Sequence, residues 1–307
     1  MQFYSTDTVD PLVQSLRTLA NELPELKDAA KVYEAILPLL RDADLHPGTI
    51  SLTTGQVREK MTSGVPLLSG LDLDFDVEAA RTLMIKLVAA VEKAVSVDQP
   101  PKLKLRLPWF SSRTEPDTAA RRIRTALEEN SLEAETLLSK VAAGDKDAVV
   151  SVSKDLGLDP GLTLTLAQNA LKPALREWCR QLTPLVKGIP WHKSTCFMCG
   201  AVATLAELQE NDQVKHLRCG QCGADWKFPR LQCMYCGNED HRTLKHLYTE
   251  SHLETMWVEV CDKCHGYLKV ITSFSPTSPE MLTVEDLATL HLDSIAKARG
   301  YEYGAVL

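Results

Sequence analysis

The chain has no uninterrupted run of about 20 apolar residues, the length a helix needs to cross a bilayer, so no membrane insertion is expected. It also has no excess of positive charge, with 34 Lys and Arg against 41 Asp and Glu and a formal net charge of -7. A surface built to neutralise nucleic-acid phosphates gathers Lys and Arg on one face, and no nucleic-acid partner is expected here. The opening MQFYSTDTVDPL carries neither the basic nor the apolar region of a secretory leader, which points to the cytoplasm. No Walker loop, GxSxG elbow, HExxH pair or dinucleotide fingerprint is present. The scattered carboxylates and histidines assemble into no acid/base pair by sequence alone, and the protein reads as a non-enzyme.

What is present is a large apolar fraction, 44% of 307 residues, enough for a sizeable core. The first 187 residues read as helices. Asp10-Pro11 is a cap followed by proline at the first helical position, and Leu12, Leu16, Leu19 and Leu23 recur on one helix face. A second helix carries Val32, Ile36, Leu39 and Leu40, and a third, from about Val77, is apolar over a wide arc through Ala80, Leu83, Met84, Leu87, Val88 and Val91. Further helices are expected at 118–129, 131–143, 145–156 and 161–186, the last kinked or divided at Pro173. Residues 44–75, rich in Gly, Ser and Thr, and 97–116, with four prolines, read as long loops. Two short basic runs, Lys102, Lys104 and Arg106, and Arg121, Arg122 and Arg124, read as solvated faces.

At KGIPW, Lys187 to Trp191, a glycine and a proline stop the helix. Beyond it, VKHLRC, LKHLYT and ETMWVEV are short and rich in β-formers, with Met256, Val258 and Val260 on one face and Trp257 and Glu259 on the other. Helix returns after Ser278-Pro279, with Leu287, Leu290 and Ile295 ahead of Gly300. The expected division is a helical domain at 1–187, two small β modules at 188–228 and 229–275, and a helical tail at 276–307 that packs on the rest.

Eight of the nine cysteines form four CxxC pairs: Cys196/Cys199, Cys219/Cys222, Cys233/Cys236 and Cys261/Cys264. This spacing lets two thiolates of one tight turn occupy adjacent corners of a tetrahedron, and two such turns complete a closed four-sulfur site. The residue after each pair favours φ > 0. Gly200, Gly223 and Gly237 fill that place, whereas the fourth turn has His265, which puts its geometry in question. Gaps of 19 and 24 residues suit β-hairpins, with turns near Asn211-Asp212 and Ser251-His252, while the ten residues between the second and third pairs suit one connecting strand. The expected sites are therefore Cys196, Cys199, Cys219 and Cys222, and Cys233, Cys236, Cys261 and Cys264. In a reducing compartment four such pairs read as metal ligands rather than disulfides. A closed four-thiolate site leaves no place for water or substrate, and ligand type admits both zinc and iron. A thioredoxin-type dithiol and a c-type haem attachment at Cys261-Asp-Lys-Cys264-His265 both fit the four paired turns poorly. Trp226, Phe228, Tyr235, Trp257 and Tyr267 could shield the sulfurs or simply pack the ribbons. Cys179, on an apolar helix face with Leu175, Trp178 and Leu182, reads as a small buried hydrophobe, and His192, His216, His241, His246 and His252 are not needed as ligands.

The helical half, then CFMCG, CGQCGADWKFPRLQCMYCG and CDKCHGYLK, then VEDLATLHLD together resemble the formate dehydrogenase accessory protein family, FdhE. In the helical half the patch Gly64-Val65-Pro66-Leu67-Leu68 is similar to the family. The resemblance implies an all-α N-terminal domain, two rubredoxin-like or zinc-ribbon modules and a C-terminal helix. It further implies a cytoplasmic maturation factor for molybdenum-containing, exported formate dehydrogenase that binds the catalytic subunit before export, with iron favoured over zinc. Homo-oligomerisation is left open. Two other readings are an iron-dependent electron-transfer protein and a zinc-ribbon nucleic-acid binder using Lys227, Arg230, Arg242 and Lys245.

Overall fold

The structure is a computed structural model that describes residues 10–95, 116–210, 212–248 and 255–304. Most of the 97–116 segment, with its basic run, and the turn positions Asn211 and Ser251-His252 lie outside the described residues.

Among the described residues eight α-helices come first: α1 Pro11–Glu22, α2 Lys27–Arg41, α3 Thr54–Thr62, α4 Val77–Val95, α5 Pro116–Glu128, α6 Ala134–Ala142, α7 Lys146–Asp155 and α8 Pro160–Leu182. Their starts follow from side-chain caps. Asp10 accepts from Leu12 N, Asp145 from Ala148 N and Asp159 from Leu162 N, each satisfying an amide that the helix cannot. The wide apolar arc of α4 is buried throughout, from Ala80 to Val91. Beside it α8 runs unbroken through Pro173 and buries Leu166, Ala170, Leu171, Ala174 and Trp178, so the proline does not divide this helix. Residues 44–75 are not all loop. Helix α3 opens on a reciprocal capping box between Thr53 and Gln56 and buries only Val57 and Met61, too few apolar residues to register as periodicity.

The second half is built on one mixed sheet of six strands: β1 Leu205–Gln209, β2 Val214–Arg218, β3 Asp225–Lys227, β4 Leu244–Leu247, β5 Met256–Cys261 and β6 Tyr267–Ser273. The order is β3-β2-β1-β6-β5-β4. Within it one unit occurs twice: a CxxC turn, an antiparallel hairpin, a second CxxC turn and a third strand. The first unit is β1 to β3 and the second β4 to β6. The two units are joined by parallel pairing of β1 with β6, Ala206 opposite Val270 through Gln209 opposite Ser273, which makes two ribbons one sheet.

The chain closes with two helices, α9 Met281–Ala288 and α10 Leu290–Ala298. On β5 the alternation holds. Val258 and Val260, with Tyr267, pack on Leu292 and Ala296 of α10. Leu12, Leu16, Leu26 and Ala30 pack on Val284, Leu287 and Leu290, so the first helices grip the last. The main core runs without a break from the helical half into the sheet through Trp178, Trp191, Phe197, Leu217 and Val270. Among the described residues no helix is long and apolar enough to cross a membrane.

Candidate metal centres

Each CxxC turn is held by the same two backbone bonds. In the first, Cys196 N donates to Ala201 O (2.7 Å) and Gly200 N to Cys196 O (3.0 Å); in the second, Cys219 N donates to Ala224 O and Gly223 N to Cys219 O, both at 2.9 Å. The third repeats this with Cys233, Asn238 and Gly237, and the fourth with Cys261, Gly266 and His265. The residue after each pair stands in the left-handed region, Gly200 at φ 77°, Gly223 at 78°, Gly237 at 70° and His265 at 56°. The fourth turn therefore has the geometry of the other three despite lacking the glycine.

The turns meet in pairs across the hairpins. Cys196 and Cys222 sulfurs are 3.5 Å apart, as are Cys199 and Cys219. In the second group Cys233 and Cys264 are 3.6 Å apart, and Cys236 and Cys261 3.8 Å. All four sulfurs of each group lie within 4.8 Å of one another, and among the described residues these two groups, made of cysteine alone, are the ones that could hold an ion. Four sulfurs 2.3 Å from one tetrahedral ion stand about 3.8 Å apart, so both groups fit such an ion, and none of the cysteines is in a disulfide. Burial pushes the Cys196 and Cys222 thiols far up, and also raises Cys233 and, to about 11, Cys264. Thiolates packed this closely repel and are poorly hydrated, and a cation at their centre removes both penalties.

The surroundings of the two groups differ. Around the first, Leu67 N donates to Phe197 O (2.7 Å) and Leu68 N to Met198 O (3.0 Å), while Lys193 Nζ donates to Gly64 O (2.8 Å). The Phe197 and Trp226 rings meet edge to face at 6.1 Å, and Trp226 Nε1 donates to Lys193 O. Around the second, Tyr235 lies over Gly266, whose missing Cβ would come within 2.5 Å of the ring, and its hydroxyl donates to Tyr267 O (3.1 Å). Glu302 N closes on His265 O at 2.7 Å. In the first group Cys196, Cys219 and Cys222 are at most 2% exposed and only Cys199 is half-buried, whereas in the second Cys233 and Cys261 are buried and both Cys236 and Cys264 are half-buried. The first group is an interior feature and the second a peripheral one.

Residues 231–306, which hold the whole second group, match the family model described as FdhE, C-terminal domain. This stretch is similar to the FdhE C-terminal domain. The FdhE resemblance is borne out by relatives as well. A protein FdhE homolog of Shewanella baltica is 35% identical over 112 residues, 36% of this chain and 36% of that protein. One from Aquifex aeolicus is 29% identical over 114 residues, 36% of this chain and 40% of the relative. These matches thus span well under half of the relatives' length. The crystal structure of the FdhE protein from Pseudomonas aeruginosa shares the fold, with a TM-score of 0.60, 20% identity and coverage of 96% of this chain and 92% of that one.

In this FdhE-like chain two elements at the first group escape a reading of the sequence. Cys179 is buried, as its apolar helix face predicts, but interaction with the Cys222 sulfur, together with Thr183 Oγ1 at 3.7 Å, holds its thiol below the usual range. It is a fifth sulfur beside the cage. The patch from Gly64 to Leu68, 128 residues before Cys196 in the chain, is the clamp on the first CxxC turn. The family similarity of that patch is the one signal that could have singled it out. Of the histidines, His216 pairs with Asp225 and His246 stacks on Trp257.

Proposed function

We propose that the protein is a non-enzymatic maturation factor that binds the catalytic subunit of a molybdenum-containing formate dehydrogenase in the cytoplasm before export. The observation that carries the reading is the duplicated four-cysteine unit, the second copy of which lies in the stretch similar to the FdhE C-terminal domain. Four sulfurs around one ion leave no coordination position for a substrate, so such centres suit bracing a docking surface better than hydrolysis. Cys196, Cys199, Cys219 and Cys222 would hold one ion, and Cys233, Cys236, Cys261 and Cys264 the other. Each ion would supply a cross-link between two turns and, if iron, one-electron exchange. Family resemblance favours iron. Deleting the gene is expected to abolish formate dehydrogenase activity with its transcript intact, and unaltered activity would rule the role out. Pull-down from formate-respiring cells is expected to recover the catalytic subunit. Metal analysis and a visible spectrum of the same sample separate iron, coloured and reversibly reducible, from colourless zinc.

The nucleic-acid reading is disfavoured by the net negative charge and by the pairing of two of its four basic residues, Arg242 with Asp240 at 3.0 Å and Lys245 with Asp262 at 2.5 Å. The division at 187/188, 228/229 and 275/276 is proposed as the chain's modular plan. Limited proteolysis of the metal-loaded protein tests it, with first cuts expected near those junctions.

A further inference from the structure

The helical half and the sheet enclose a cavity of about 590 Å³, lined from α2, α8, β6, α9 and α10 and by the CxxC turn of Cys219. It is separate in role from both sulfur groups. Lys172 of α8 lines it and is only 7% exposed, yet it makes no hydrogen bond or ion pair among the described residues. A buried ammonium without a partner is unfavourable. Its neighbours do not relieve it. Arg176, one turn along α8, repels it and has its own partners, Glu280 at 3.4 Å and Pro279 O at 3.0 Å. Asp286 and Asp293 attract it only at a distance or not at all, because both hold Lys269 Nζ, at 2.6 and 2.9 Å, and Asp293 also accepts from the Tyr267 hydroxyl at 2.6 Å.

Gln221, between the two cysteines of the second turn, lines the same cavity, and its Oε1 is buried with no donor. Burial without a partner costs an acceptor as it does a charge. That oxygen has almost no accessible surface and does not open into the cavity, which offers a ligand the unpartnered Lys172 ammonium in a volume larger than an inorganic ion needs and typical of small-molecule sites. We propose that it binds a small organic anion, a carboxylate. The carboxylate would sit on Lys172. The rival explanation is internal: the Lys172 charge would balance the sulfurs of the first group, since Cys219 attracts it.

The test uses the full-length, metal-loaded protein and calorimetric titration with the carboxylates malate, succinate, glycolate and acetate. At least one of these carboxylates is expected to bind saturably. The Lys172→Met variant, which keeps the volume and removes the charge, is expected to weaken that binding about tenfold or more with metal content unchanged. The titration of the unaltered protein stands even if the variant misfolds. No saturable binding of any probe at about 10 mM, well beyond the millimolar affinities of weak specific sites, overturns the proposal. So does binding that is equal in the variant, or loss of metal from the first group in the variant, which would establish the internal explanation. None of these outcomes bears on formate dehydrogenase activity, so the two proposals fail separately.

Discussion

At the scale of single residues, the sulfur cages depend on one left-handed position per turn, and the four positions differ in what surrounds them. A Cβ at Gly223 would come 2.6 Å from Pro279, whereas one at Gly237 would meet nothing within 4 Å. Gly237→Ala is therefore expected to cost only the left-handed penalty, about 1–2 kcal/mol, and Gly223→Ala distinctly more. His265→Gly is expected to leave stability within about 1 kcal/mol. Denaturant unfolding of the metal-loaded variants measures all three. Cys179 makes a second contrast, because it lies beside a cage without belonging to it. Cys179→Ala should leave two metal ions per chain and Cys219→Ser one, by elemental analysis. Lys172 supplies a pH test. Burial, aided by Arg176 and opposed by Asp286 and Cys219, lowers it to about 8 from 10.5. Between those values the unfolded chain binds more protons than the folded one, so stability rises with pH there. Below 8 the full penalty applies, on the order of 3 kcal/mol. Melting of Lys172→Met is expected to exceed that of the unaltered protein at pH 7, with the gain shrinking between pH 8 and 10.

At the scale of elements, what could be read from the sequence was whatever a local pattern dictates. The CxxC turns were legible because ligand spacing and the residue after each pair are local, and so were the capped, periodic helices α1, α2, α4 and α8. Helix α3 was hidden because its fold depends on a cap, Thr53 with Gln56, more than on an apolar stripe. The tail reads as one helix yet is two, broken at Thr289, whose hydroxyl bonds back to Glu285 O at 2.7 Å. Strand β6 and its parallel partner β1 went unseen because a register between strands some 60 residues apart leaves no local trace. The clamp at Gly64 to Leu68 is non-local in the same sense. Its weight can be measured: Leu67 is fully buried, and Leu67→Ala is expected to cost about 2–5 kcal/mol. It should also speed metal release from the first cage while leaving the second unchanged, followed with a chromogenic chelator.

At the scale of the whole molecule, one interior cage and one peripheral cage predict a sequence of events. A chelator is expected to remove the second ion before the first, in two resolved kinetic phases, and a single phase would contradict the difference in burial. The core that runs from α8 into the sheet predicts that loss of the first ion loosens the helical half too, seen as one cooperative melting transition at lower temperature. The seam between β1 and β6 has one more consequence. Two separate three-stranded ribbons would expose four open borders, each a template on which another chain could add a strand. Joined side by side they expose two, β3 and β4, of three and four residues, while the longest strands, β5 and β6, lie inside. Duplication with a parallel seam thereby guards the protein against self-aggregation.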